Sequence, residues 1–249
     1  MKNTFKKLFI SFTVLSLTAC SSTTMQDNTF AAKENKDFTK YTNQLVVEYA
    51  ENDYTTMHQF FEHPEDYGID INNVDVSLGE FYTDNTEEIK EDQKELNKFN
   101  RSTLDKTQQT IYDELKYENE LSLKAENKKF QYLNNCWSTM SGLHQSLISV
   151  FSEYILRNEK DIQDLITLIN DVPRYTNDVL EYTKKQADKN TLQFDYDSVT
   201  QDIQDVINNK ADSSITSALY NAIDALNLDE EKTTSYKAQV KDAMDTSFF

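Results

Sequence analysis

Glycine and proline are almost missing from this sequence: Gly68, Gly79 and Gly142, then Pro64 and Pro173, are all that 249 residues contain. Sheet proteins use these residues for their frequent turns, so the scarcity excludes a sandwich or barrel and points to long helices. Cysteine is nearly as rare, with Cys20 and Cys136 alone, which excludes a disulfide-built scaffold. Basic residues fall well short of acidic ones, 25 against 43, for a formal charge of −18. Such a body repels phosphate backbones, which excludes nucleic acid as a partner, and it repels anionic headgroups as well. No Walker loop, no Gly-x-Ser-x-Gly elbow and no glycine-rich dinucleotide turn occurs. Aromatic residues, by contrast, are plentiful, with 14 Tyr and 14 Phe. They are enough for a real core and exclude disorder throughout, because disordered chains are poor in large apolar side chains.

The N-terminus reads as an address. Lys2, Lys6 and Lys7 precede an apolar run from Leu8 to Leu17. That run, about ten residues, is too short to span a membrane but has the size of a secretory h-region. Leu17-Thr18-Ala19-Cys20 follows and resembles the bacterial lipobox, in which the cysteine is lipidated and becomes the mature N-terminus. An ordinary signal peptide with an incidental cysteine is the blander reading. The lipobox reading makes residues 1–19 a leader and Cys20 the lipidation site. Residues 20–36, opening with Ser21-Ser22-Thr23-Thr24, are then a flexible tether, and 37–249 a helical domain. Losing the leader removes three lysines and no acid, taking the charge from −18 to −21. The expected product is exported and held on the outer face of the cell membrane by its lipid rather than by surface charge.

Helical periodicity runs through the rest. Phe38, Tyr41, Leu45, Val46 and Tyr49 share one face, predicting a helix over about 34–62 that ends before Pro64. Ile89, Leu96 and Phe99 predict another over 85–99. Asp105 and Gln108 have the spacing of a capping box, opening a long charged helix with Ile111 and Leu115 inward. Residues 130–146 lack a clean period and are expected to form an irregular but buried connection. Faces follow at Leu147–Ile155 and at Ile162–Val172, the latter stopped or kinked by Pro173. Further helices are marked by Tyr175–Tyr182, Val199–Ile207, Leu219–Leu226 and Tyr236–Met244, the last capped by the Asn227–Glu230 stretch. The fold class is all-α, a multi-helix array. Phe248 and Phe249 close the chain without a capping device, so they either tuck into the bundle or mark a fold cut partway through.

Candidates for chemistry are few. His58, Glu62 and His63 form the one local cluster with metal-ligand character. The inverted zinc motif needs two residues between His and Glu, and three stand here, so a structural role near Pro64 is preferred to metal binding. His144 reads as a hydrogen-bonded core histidine. Cys136 reads as a small buried residue, with a catalytic thiol the minority alternative. The acid pairs Glu87/Glu88, Glu91/Asp92 and Asp229/Glu230 belong to helix surfaces and first turns, where acids favour the dipole. No catalytic residue and no metal ligand is assigned in this chain.

His58 followed by Pro64-Glu65-Asp66-Tyr67-Gly68 is similar to an early segment of the bacterial family known as domain of unknown function 885. Leu104–Leu115 resembles the stretch that follows it there. Glu153-Tyr154, Asp161-Ile162, Val172-Pro173-Arg174-Tyr175 and Leu180-Glu181 give the best match. Together these cover residues 38–249 and resemble the N-terminal part of such proteins. The resemblance implies a helical, zinc-peptidase-like fold, often carried by lipoproteins, of which this chain is an incomplete part. It also implies zinc held by a His-Glu-x-x-Pro-Gly-His segment in a C-terminal half that this sequence lacks, so no cofactor is expected here. The expected function is therefore the non-catalytic N-terminal portion of a lipid-anchored, peptidase-like protein. Its partners are the membrane through Cys20, and a peptide or a catalytic half. The alternative is a self-sufficient helical binding or scaffold lipoprotein of the cell envelope.

Overall fold

The computed structural model describes residues 33–71 and 74–249; Cys20 and the leader lie outside them. Among the described residues there are nine α-helices and no strand: α1 (Lys36–Asn52), α2 (Tyr54–Phe60), α3 (Thr86–Leu96), α4 (Lys106–Ala125), α5 (Leu143–Ser152), α6 (Glu159–Asp188), α7 (Tyr196–Asn208), α8 (Ser214–Ala225) and α9 (Glu230–Ala243). The all-α expectation holds. None of these helices is long and apolar enough to cross a membrane.

The chain divides into two compact units. The first joins the residues up to Asn52 with Thr83–Gln131 and therefore holds α1, α3 and α4. Phe38, Leu96, Leu104, Tyr112 and Leu115 form its buried core, with Tyr41, Leu45, Phe99 and Ile111 packed against them. The Phe38 ring meets Phe99 edge-on at 5.1 Å between centroids. The capping box at α4 is as read: Asp105 accepts from the Gln108 amide at 2.8 Å, and Gln108 reaches back to the Asp105 amide. The Gln108 side chain also bonds the Asn35 amide and carbonyl, both at 2.9 Å, which ties the start of α1 to α4.

The second unit joins Asp53–Tyr82 with Tyr132–Phe249. The helix expected over 34–62 is two helices, because Asp53 leaves helical geometry (φ −134°, ψ 103°) and its carboxylate caps the Thr55 and Thr56 amides of α2. Of the two outcomes expected at Pro173, a stop does not occur: the proline sits inside α6, whose 30 residues extend over ~45 Å. The missing amide breaks one backbone hydrogen bond. The helix buries residues both before the proline (Ile162, Leu165, Leu168, Ile169, Val172) and after it (Val179, Tyr182). Around α6 pack α9 and the closing π-turn Met244–Phe248, with α8 lying against both α5 and α9. Phe248 meets Phe151 edge-on at 5.8 Å and Ser247 donates to Asn170, so the last turn lies back on this unit with both terminal rings half-buried.

The irregular connection before α5 is only partly inside. Cys136 packs with Val179 and Tyr182, while Leu133 and Met140 face solvent, Met140 at 89%. Side chains of α6 supply the hydrogen bonds this stretch cannot make to itself: Gln186 donates to the Tyr132 and Asn134 carbonyls, and Thr183 accepts from the Trp137 indole at 2.8 Å. Gly142 is required by space, since a Cβ there would lie 2.5 Å from the Ser138 carbonyl. At the start of α9 the cap is Asp229, accepting from the Lys232 amide, rather than Asn227, which takes a left-handed conformation (φ 52°) ending the helix before.

Candidate functional site

The second unit concentrates its buried polar groups where α2 meets the turn between α5 and α6. The Asp53 cap sets the register of α2 so that Tyr54, Met57 and His58 face inward. His58 is fully buried. Its ring stacks parallel to Tyr154 at 4.4 Å and lies 4.6 Å from the Tyr54 ring. Two hydrogen bonds tie it to one residue of the turn: the Ile155 amide donates to the His58 carbonyl at 2.7 Å, and Nδ1 donates to the Ile155 carbonyl at 2.8 Å. Nε2 is buried and has no partner. Burial pushes the imidazole down to about 4; the Ile155 carbonyl opposes the shift and the nearby Arg157 guanidinium adds to it. His58 is therefore neutral, with its proton committed to a carbonyl.

Arg157 closes the C-terminal end of α2. Its guanidinium donates to the Met57 carbonyl at 2.8 Å, to the Glu62 carbonyl at 3.1 Å and to the Phe61 carbonyl. These are oxygens that a helix end leaves without donors, and a cation there also complements the dipole. Its counter-charge is Asp161, 1% exposed and 3.6 Å away, which also accepts from the Arg157 amide at 2.8 Å. Asp164 in the next turn takes the Tyr54 hydroxyl and Lys160. Burial, then the Asp164 contact, raises the Tyr54 phenol. Burial also raises the Tyr154 phenol.

The other sequence candidates lie apart. Glu62 and His63 are exposed on the far side of the turn, with His63 3.5 Å from Glu65, so the His58–Glu62–His63 cluster is not brought together. Pro64 opens a 3₁₀ turn that ends at Gly68 in the left-handed region (φ 77°), which any other side chain would strain. His144 lies in the first turn of α5 with Nε2 2.6 Å from the Asp202 carboxylate on α7. Burial pushes the Cys136 thiol up to about 11, which leaves it unreactive. Glu87 and Glu91 pair with Lys90 and Lys94 on the surface of α3, while Asp229 caps α9. Among the described residues no group of three or more His, Cys, Asp or Glu is arranged to hold a metal ion. With His58 sealed, His63 at the surface and His144 paired to Asp202, the donor set does not fit zinc.

A family described as bacterial proteins of unknown function, DUF885, matches residues 72–248. The chain belongs to the DUF885 family. No curated protein and no solved structure matches it. The matched segment contains the turn between α5 and α6 with Tyr154, Arg157, Asp161 and Asp164, whereas His58 and the Pro64–Gly68 turn precede it. The DUF885 segment also holds Val172-Pro173-Arg174-Tyr175, and here the motif is a strap. Arg174 grips Asp171 through two bonds of 2.6 Å, bonds Asp178 at 2.7 Å and donates to the Gly79 carbonyl at 2.8 Å. Asp171 in turn accepts from the Leu78 amide at 2.9 Å. These contacts fasten the 78–79 turn onto α6. Sequence reading passed over Arg157, Asp161 and Asp164 as site residues. Their signal was the i,i+4 pairing of Arg157 with Asp161 and of Lys160 with Asp164, beside an Asn158 cap.

Proposed function

We propose that this DUF885 protein is a lipid-anchored, extracytoplasmic helical protein, and that its helical part is the non-catalytic scaffold side of a zinc-peptidase-like fold. The observation that carries the reading is His58. A neutral imidazole bonded to a backbone carbonyl would also suit a zinc ligand or a general base; what speaks for a packing element is that the ring is fully buried and its Nε2 is sealed, so neither substrate nor solvent reaches it. Arg157, Asp161 and Asp164 are likewise consumed in holding α2 against α6. In this reading the helices wall a peptide cleft and a reactive centre elsewhere does the chemistry. The address rests on the lipobox-like Leu17-Thr18-Ala19-Cys20.

Two measurements test it. The mature protein from Cys20 should show no zinc-dependent cleavage of a mixed peptide library, and robust zinc-dependent turnover would defeat the scaffold reading. A palmitate analogue fed to expressing cells should label the wild type and not Cys20→Ala, which should leave the membrane fraction. Equal membrane retention of both would remove the anchor.

A further inference from the structure

Helix α7 differs from its neighbours in how it is held. Helix α8 buries Ile215, Leu219 and Ile223, and α6 buries residues along its whole length, whereas the 13 residues of α7 bury only Val199. The rest of its apolar face is incompletely covered: Ile203 and Val206 are half-buried, and Tyr196 is 67% exposed. Its hydrogen-bonded hold on another helix runs through one carboxylate oxygen. Asp202 Oδ2 accepts from His144 Nε2 at 2.6 Å and from Gln145 Nε2 at 2.9 Å, both in the first turn of α5. By contrast, Gln201 bonds Asp205 and Gln204 bonds Asn208 along α7 itself, and its cap, Asp195, bonds Ser198. Both flanks are irregular. Asn190 in the left-handed region (φ 56°) ends α6, and a 3₁₀ turn, Lys210–Asp212, leads into α8.

We infer that α7 is a strap that opens independently of α6 and α8, held closed by the Asp202 latch on His144 and Gln145. Opening free energies follow buried apolar contact and bonds between elements, and α7 has little of the first and a single site of the second. His144 supplies a bias toward opening. In the closed state its Nδ1 is buried without a partner, and release of α7 returns that nitrogen to water. Opening uncovers the His144 imidazole together with the face carrying Val199, Ile203 and Val206. The inference does not depend on the proposed function.

Hydrogen exchange followed by mass spectrometry on the mature protein tests it, with rates normalised to the unfolded chain. In the wild type, peptides from 196–208 should exchange through an easier opening than those from 159–188 and 214–225. Asp202→Ala should speed α7 exchange about tenfold, the scale of a charge-assisted hydrogen bond at a partly exposed site, and leave α6 and α8 unchanged. Asp205→Ala, which removes a carboxylate bonded only along the helix, should not speed it. The strap is refuted if wild-type α7 exchanges no faster than α8, if Asp202→Ala leaves α7 unchanged, or if all three helices accelerate together. The wild-type comparison stands even if the Asp202 variant folds poorly.

Discussion

Replacing Arg157 by alanine strikes the centre of the buried polar cluster. The guanidinium retains 14% of its exposure and Asp161 2%, so solvent screens their pairing weakly. Truncation leaves the Met57, Phe61 and Glu62 carbonyls short of a donor and leaves the buried Asp161 carboxylate without its counter-charge, held by the backbone amide of residue 157. Removing one partner of a buried, hydrogen-bonded ion pair costs about 3–5 kcal/mol, a large share of the 5–15 kcal/mol that holds a typical domain folded. For a unit of about 150 residues, that lowers the melting midpoint by roughly 6–20 °C. Trp137 is the chain's single tryptophan and is bonded to Thr183 in the same unit, so its fluorescence reports this transition directly. The urea midpoint should fall with an unchanged slope. Arg157→Lys keeps the charge but loses the fork that reaches three carbonyls, and should fall in between. The double variant Arg157→Ala/Asp161→Asn should recover part of the loss, because the stranded charge is gone. A loss below about 1 kcal/mol in Arg157→Ala, the scale of an exposed pair, would refute the reasoning.

Three further outcomes follow from the same contacts. His58 has a folded-state value of about 4 against an unfolded value near 6.5, so the unfolded chain binds the extra proton between them and stability must fall as pH drops through that window. Between pH 7 and pH 5 the wild type should therefore lose about 2 kcal/mol more than His58→Gln in urea titrations, and parallel losses would contradict the assignment. Gly142→Ala forces its methyl against the Ser138 backbone and should cost about 1–3 kcal/mol by Trp137 fluorescence; a neutral effect would show that the turn yields. Asp105→Ala removes the capping box of α4 and should cost about 1 kcal/mol, read as faster amide exchange in the first turn of that helix. Unchanged exchange there would mean that tertiary packing alone holds the helix start.

Much of the fold was legible because apolar spacing at helical period survives whatever packs against it. The 85–99, Asp105-capped and Val199–Ile207 helices all appear within a few residues of their expected limits. The misreadings came where one side chain or distant packing decides. Asp53 splits the first helix with its own carboxylate, a cap visible in Asp53-Tyr-Thr-Thr but masked by the apolar run on either side. Pro173 carries a helix-stopping signal, yet α6 buries residues on both sides of it. The site was less legible. The partners of His58, Tyr154 and Ile155, lie 96 and 97 residues away, and no local spacing announces them. Of the best-matching family segments, Tyr154 packs on His58 of α2, Asp161 pairs with the arginine that closes α2, and Arg174 fastens the 78–79 turn to α6, whereas Leu180 and Glu181 lie exposed.

The central claim is that His58 is a packing element. Nitrogen-15 NMR of the imidazole from pH 8 down to 5 tests it most directly. The ring should be one neutral species throughout, protonated at Nδ1, with Nε2 unprotonated. A His58 ring that gains its second proton near pH 6.5, or that carries its neutral proton on Nε2, would contradict it.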